Sequence, residues 1–310
     1  MLHHVTAIAR DPDANLRFYT HTLGLRLVKV AVNFDDPSSY HLYYGNDLGA
    51  PGTLVTFFLW PGADPGKPGP GQATTIGLSV PAGALDYWRR RLDDAGVKHA
   101  SAGDTRLAVR DPDGLTVELI ERPGCEAWPY VSAGPVMREH AIRALDAPTL
   151  TVRDAATTVG FLEEMLGMRV HERSADGNRY HLVGGDDDDD TPARWLDVVN
   201  AGDTAGGSFG PGTVHHVAFR AADDDAQQRY RQRLRDARVA VSDVRERVYF
   251  RSIYFRELGG VICEIATDGP GMTADESPAA LGSALRLPPW LESQRDEIER
   301  ILPPLERPTA

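Results

Sequence analysis

The sequence predicts an α+β fold of four βαβββ modules, arranged as two tandem repeats and paired into cup-shaped mixed sheets. Three observations predict it: an internal repeat over most of the 310 residues, a strand–helix–strand pattern inside each repeat, and two His-His-Val segments far apart. The repeat is direct. Residues 2–27 laid without a gap over 145–170 put Leu2, Thr6, Arg10, Asp11, Phe18, Leu23, Gly24 and Arg26 on Leu145, Thr149, Arg153, Asp154, Phe161, Leu166, Gly167 and Arg169. Tyr40-His41-Leu42 returns as Tyr180-His181-Leu182, and 74–97 resembles 215–239 with one insertion. The segment holding Glu118 falls on the one holding Glu264. The modules therefore run over about 2–60, 73–122, 145–199 and 213–267, the first resembling the third and the second the fourth. Domains are expected at 1–122 and 145–268, with a Pro- and Gly-bearing linker at 123–144 and a tail at 269–310 carrying one helix.

Each module reads as a strand, a helix and three strands. In the first, residues 3–9 are strand-like, and Asp11 suits a helix N-cap with Pro12 at the first helical position. Leu16, Tyr19 and Leu23 share one helical face, and Gly24 marks the end. The runs 25–34, 39–44 and 53–60, rich in Val, Tyr, Phe and Thr, follow as strands. In the tail, 290–302 reads as one helix between proline pairs, docked through Trp290, Leu291, Ile298 and Ile301.

Composition bounds the function. A hydrophobic fraction of 42% and a charged fraction of 25% are those of a globular protein, and no apolar run reaches membrane-spanning length. A net charge of −12 argues against nucleic acid or an anionic membrane as partner. Cys125 and Cys263 offer no disulfide framework, and with no leader ahead of the first strand a cytoplasmic location is expected. The run Asp186–Asp190 lacks the spaced ligands of a calcium loop and reads as a solvated loop. A homo-oligomer is compatible with the sequence.

The histidines decide how the modules pair. His4 aligns with Ala147, His216 with Thr75, and Glu264 with Glu118. Only a cup built from the first and fourth modules gathers two imidazoles and a carboxylate; the other cup would hold Ala147, Thr75 and Glu118. Glu264 lies in an apolar strand, where an unpaired carboxylate costs on the order of several kcal/mol. Two His and one carboxylate are the facial set that leaves positions open on iron(II), and Zn(II), Mn(II) or Ni(II) accept the same donors. Strand alternation aims His3 and His215 away from that point unless a bulge intervenes. His41 and His181, matched across the repeat, read as structural.

The repeat, the His-His-Val strands and the segment from Arg247-Val-Tyr-Phe-Arg-Ser-Ile-Tyr254 to Cys263-Glu264-Ile265, followed by Gly-Pro-Gly-Met-Thr-Ala-Asp-Glu, resemble the vicinal oxygen chelate superfamily. That superfamily includes glyoxalase I and type I extradiol dioxygenases, and the chain is most similar to its hydroquinone ring-cleaving branch. The resemblance implies paired βαβββ cups, an Fe(II) held by His4, His216 and Glu264, and a phenolic aromatic substrate cleaved with O2. It implies supporting or substrate-contacting roles for His3, Thr6, His215, Arg247 and Tyr254. Arg247 would stabilise charge on oxygen, and Tyr254 would hold or protonate a substrate oxygen; otherwise Arg247 reads as a surface partner of Glu246 or Asp243. A glyoxalase-like lyase or thiol transferase is the alternative, as is a non-catalytic binding protein. The lyase needs a fourth ligand, for which residues 54–60 offer no carboxylate, amide or imidazole.

Overall fold

The computed structural model describes residues 1–185 and 191–306; the acidic run at 186–190 lies outside them. The first module contains β1 (Leu2–Ala9), α1 (Pro12–Arg17), β2 (Arg26–Asn33), β3 (Asp36–Gly45) and β4 (Leu54–Leu59). The second contains β5 (Gln72–Val80), α2 (Leu85–Asp94), β6 (His99–Ser101), β7 (Arg106–Arg110) and β8 (Thr116–Glu121). The third contains β9 (Thr149–Val152), α3 (Ala155–Leu166), β10 (Arg169–Arg173), β11 (Arg179–Val183) and β12 (Trp195–Asn200). The fourth contains β13 (Thr213–Ala221), α4 (Asp224–Asp236), β14 (Arg245–Glu246), β15 (Arg251–Arg256) and β16 (Ile262–Thr267). The tail adds β17 (Leu285–Arg286) and α5 (Arg295–Ile301).

Local chemistry sets the boundaries. The Asp11 carboxylate accepts from the amides of Asp13 and Ala14, and Asp154 repeats this cap on Ala156 and Thr157 at the matching helix of the third module. Beyond Arg17 the first helix widens into a π turn over Phe18–Thr22, and Gly24 turns the chain away at φ +75°. Leu16, Tyr19 and Leu23 are buried.

The modules pair as the histidines require. One sheet runs β14-β15-β16-β13-β1-β4-β3-β2-β17 and joins the first and fourth modules through the antiparallel seam β1–β13. The other runs β10-β11-β12-β9-β5-β8-β7-β6 and joins the third and second through β9–β5. Within every module the first strand runs parallel to the last.

The tail differs from the expected helix. Only Arg295–Ile301 is α-helical; Leu291 and Ile298 are buried, but Trp290 and Ile301 are 49% and 55% exposed. Ahead of that helix the chain crosses the first sheet as a strap with short 3-10 turns at Met272–Ala274 and Pro278–Ala280. Met272 and Leu281 pack on Val28, Tyr43, Tyr249 and Phe250, and β17 extends the sheet beside β2. Its polar anchor is Lys29, fully buried, whose ammonium meets Asp275 at 2.6 Å and the Glu276 carboxylate, under the Tyr249 ring at 4.6 Å. Among the described residues, no helix is long and apolar enough to cross a membrane.

Candidate metal centre

The seam β1–β13 carries two bulges that shape the centre. Leu2 pairs with Phe219 and His4 with Ala218, so His3 is an extra residue; Thr6 pairs with His216 and Ala7 with Val214, so His215 is another. On either side of these bulges His4, His216 and Glu264 face one point. Their donor atoms lie within 4.8 Å of one another, the one such group of metal-ligating type among the described residues. His4 Nε2 is 3.3 Å from His216 Nε2 and 3.4 Å from Glu264 Oε2, and His216 Nε2 is 2.8 Å from Oε2. All three side chains are buried.

The donor set fits a metal. Glu264 Oε2 is buried and has the two imidazole Nε2 atoms as its polar neighbours, while Oε1 accepts from the Ser252 hydroxyl. Burial by itself disfavours the carboxylate, but the two imidazoles outweigh it and hold Glu264 well below the usual carboxyl range. His216 is held below the usual imidazole range, chiefly by burial. Two unprotonated imidazole nitrogens and one carboxylate oxygen are what a divalent cation requires.

One bulged histidine fixes a tautomer. His3 Nε2–H donates to the Thr267 carbonyl at 3.2 Å, so its Nδ1 is an acceptor, and His4 Nδ1–H donates to it at 2.9 Å. His4 Nε2 is thereby left with its lone pair facing the centre. His215 Nδ1 meets His216 Nδ1 at 2.8 Å. Burial lowers both His3 and His215 to about 3, so both are neutral near pH 7.

Around the donors stand Phe58, Phe250, Arg247, Tyr254, Tyr43 and His41, with Asn33 and Phe34 above. Arg247 is not a partner of Glu246 or Asp243. Its Nε donates to the Tyr254 hydroxyl at 3.2 Å and its Nη2 to Asp35 at 2.8 Å, across the mouth. Burial pushes the Tyr254 phenol above its usual range, so it stays protonated. Thr6 Oγ1 lies 2.8 Å from Thr56 Oγ1, which lies 2.8 Å from His41 Nε2; His41 Nδ1 meets the Tyr43 hydroxyl at 2.8 Å. His41 is thus in the cup wall, with both ring nitrogens hydrogen-bonded to neighbouring side chains. His181 likewise lines its own cup. On β4 the side chain hydrogen-bonded to the cup wall is Thr56, a hydroxyl where a fourth carboxylate ligand would be needed.

The twin cup is closed differently. Arg106 Nη1 donates to Glu118 at 3.0 Å and to Asp197 at 2.8 Å, and Arg179 and His181 also hold Asp197, at 2.6 and 2.5 Å. These charges neutralise one another without a metal.

The chain belongs to the Glyoxalase/Bleomycin resistance protein/Dioxygenase superfamily, which it matches over residues 1–119 and 144–265. Its full-length relatives are ring-cleaving dioxygenases, and the chain is an enzyme of that class. It is 39% identical to the "Putative ring-cleaving dioxygenase MhqO" of Bacillus subtilis, over 98% of this chain and 96% of the relative. It is 34% identical to the chlorohydroquinone/hydroquinone 1,2-dioxygenase of Sphingobium indicum, over 97% and 95%. Among solved structures it superposes on a "putative dioxygenase" of Bacillus subtilis with a TM-score of 0.91 at 38% identity, covering 100% of this chain and 98% of the other. Glyoxalase I of Zea mays shares the fold, with a TM-score of 0.63 at 16% identity over 86% and 92%.

Proposed function

We propose that this dioxygenase is an Fe(II)-dependent enzyme of the extradiol type, with His4, His216 and Glu264 as the ligands and a hydroquinone or catechol-like ring as substrate. The observation that carries the reading is the buried Glu264 Oε2 converging with His4 Nε2 and His216 Nε2 on one point, with a threonine rather than a carboxylate on β4. Bound there, iron(II) would lower the pKa of a phenolic oxygen and bring substrate and dioxygen together. The similarity to the Sphingobium hydroquinone dioxygenase supports the substrate class.

The chain's own residues supply the rest. His3 holds His4 in the tautomer that leaves Nε2 free, and His215 braces the His216 ring at Nδ1. Arg247 brings a fixed positive charge beside the Tyr254 hydroxyl, where charge develops on a substrate oxygen. Tyr254 keeps its proton at Oη and can donate it as the ring opens. Thr6 presents a hydroxyl held by Thr56. Phe58 and Phe250 form apolar walls that exclude water.

The test is oxygen uptake after anaerobic loading with Fe(II), with hydroquinones and catechols as substrates. Uptake with a ring-opened product is expected. Turnover of a hemithioacetal with no oxygen uptake would identify a glyoxalase-like lyase instead.

A further inference from the structure

The two cups set the same module side by side in two states. In the parallel pairing of β13 with β16, Glu264 stands beside Ala218, two residues past His216; in the pairing of β5 with β8, Glu118 stands beside Gly77, two residues past Thr75. On the neighbouring strand Ser252 pairs with Ala266 and Arg106 with Ile120, each two residues past the carboxylate. Ser252 and Arg106 are therefore structural equivalents, and each is bonded to its module's glutamate. The bonds differ in what they leave over. A serine hydroxyl carries one proton, neutralises no charge and satisfies Oε1 alone. A guanidinium brings a full charge and several N–H groups, and Arg106 spends them on Glu118 and Asp197 together.

We propose that Ser252 is a positioning residue for the metal. Its hydroxyl ties down Glu264 Oε1 and turns Oε2, still charged, toward His4 and His216. Arg106, at the equivalent place, is the internal cation that shuts the twin cup to a metal. Ser252 is fully buried, so no water can replace its hydroxyl without rearrangement. The inference rests on His4, His216 and Glu264 being the ligands.

The experiment measures anaerobic Fe(II) affinity and stoichiometry of the full-length chain by competition with a chromogenic chelator, folding being checked by circular dichroism. The wild type should bind one equivalent. Ser252→Ala should bind roughly 10–100-fold more weakly, the range seen when a ligand's supporting hydrogen bond is removed. Ser252→Thr, which keeps the hydroxyl, should restore binding to within about threefold, a rescue that a packing role would not give. Ser252→Arg should abolish binding, and Glu118→Gln should leave it unchanged. Ser252→Ala within about twofold of wild type overturns the proposal, even if Ser252→Arg fails to fold. Glu264→Gln separates the two readings. Wild-type affinity in that variant removes the ligand set itself, whereas lost affinity there with intact affinity in Ser252→Ala removes only the role of Ser252. Two equivalents in the wild type would refute the role of Arg106.

Discussion

Asp111 joins two modules through one buried carboxylate. Its Oδ1 accepts from the amides of Asp113 and Leu115, closing the turn before β8, and its Oδ2 accepts from the Tyr19 hydroxyl of the first module. Burial, with the nearby charge of Asp113, raises it to about 7 in spite of the amides. The folded protein therefore keeps a proton that the unfolded chain has already lost above pH 4. Stability from this residue falls as pH rises from about 4 to 7, by about 4 kcal/mol, and stays low above that window. Asp111→Asn should be more stable than the wild type at pH 8, with the advantage fading toward pH 5, in urea unfolding at both values. Equal pH dependence in the two proteins would rule out Asp111 as the source. Residues differ in how openly the sequence announces them. His4, His216 and Glu264 were legible because the repeat shows where their counterparts have been lost. Ser252 and Thr56 were not, since neither departs from ordinary strand composition and only the register shows which way they face. His41 and His181 match across the repeat, but that each lines its cup is shown by the fold and not by the spacing.

The mouth of the cup belongs to two elements. The hairpin turn between β2 and β3 carries Phe34 and Asp35, and the turn between β14 and β15 carries Arg247. Arg245 and Arg247 both reach Asp35, at 3.4 and 2.8 Å, and tie the turns together. Beneath them the cavity offers about 20 Å³ to water centres, enough for one water and far too little for an aromatic ring. Substrate entry requires these turns to part. The Arg247 turn is itself held out of a relaxed conformation, because Val248, β-branched, adopts φ +66°. The strap pins it through Gly271 N–H to the Tyr249 carbonyl at 2.8 Å and through Tyr249 Oη–H to Asp275 at 3.1 Å. Asp35→Ala should raise the association rate of a hydroquinone several-fold in stopped-flow binding, with metal content unchanged. Stability should move by less than about 0.5 kcal/mol, because Asp35 is mostly exposed. An unaltered association rate would show that the gate lies elsewhere. No sequence pattern links Asp35 to Arg247, which stand 212 residues apart. Strand positions could be read from local periodicity, whereas a contact between two turns depends on how whole modules pair.

At the scale of the molecule, the strap and the sheets share one buried charge. Lys29 has Asp275 and Glu276 as its anionic partners, and Glu276 also faces Arg286 at 3.4 Å. Glu276→Gln leaves the ammonium underpaired inside the protein and should cost about 3 kcal/mol in denaturant unfolding. Lys29→Met combined with Glu276→Gln should recover most of that loss, because no underpaired ammonium then remains inside the protein. A double variant no better than the single would mean that the charge is not the source. The module count, their order and the pairing of first with fourth were legible in the sequence. The course of the tail was not. Its proline-bounded segment has helical spacing over 290–302, but its path is set by a sheet surface that does not exist until four modules have come together.

That late assembly bears on how the protein is made. β1 leaves the ribosome ahead of the other strands of its sheet, yet it ends in the middle of nine, with β4 on one edge and β13 on the other. β13 begins 204 residues after β1 ends. Until it is synthesised, the nascent chain carries an open strand edge at β1, and until β9 is synthesised a second at β5, both rich in unpaired amides and carbonyls. The same interval leaves His4 without His216 or Glu264, so a cation met during synthesis finds one imidazole and no cage. Completion of the sheet and completion of the centre are a single event, and a ribosome stalled between the halves exposes a half-molecule whose nearest remedy is another copy of itself.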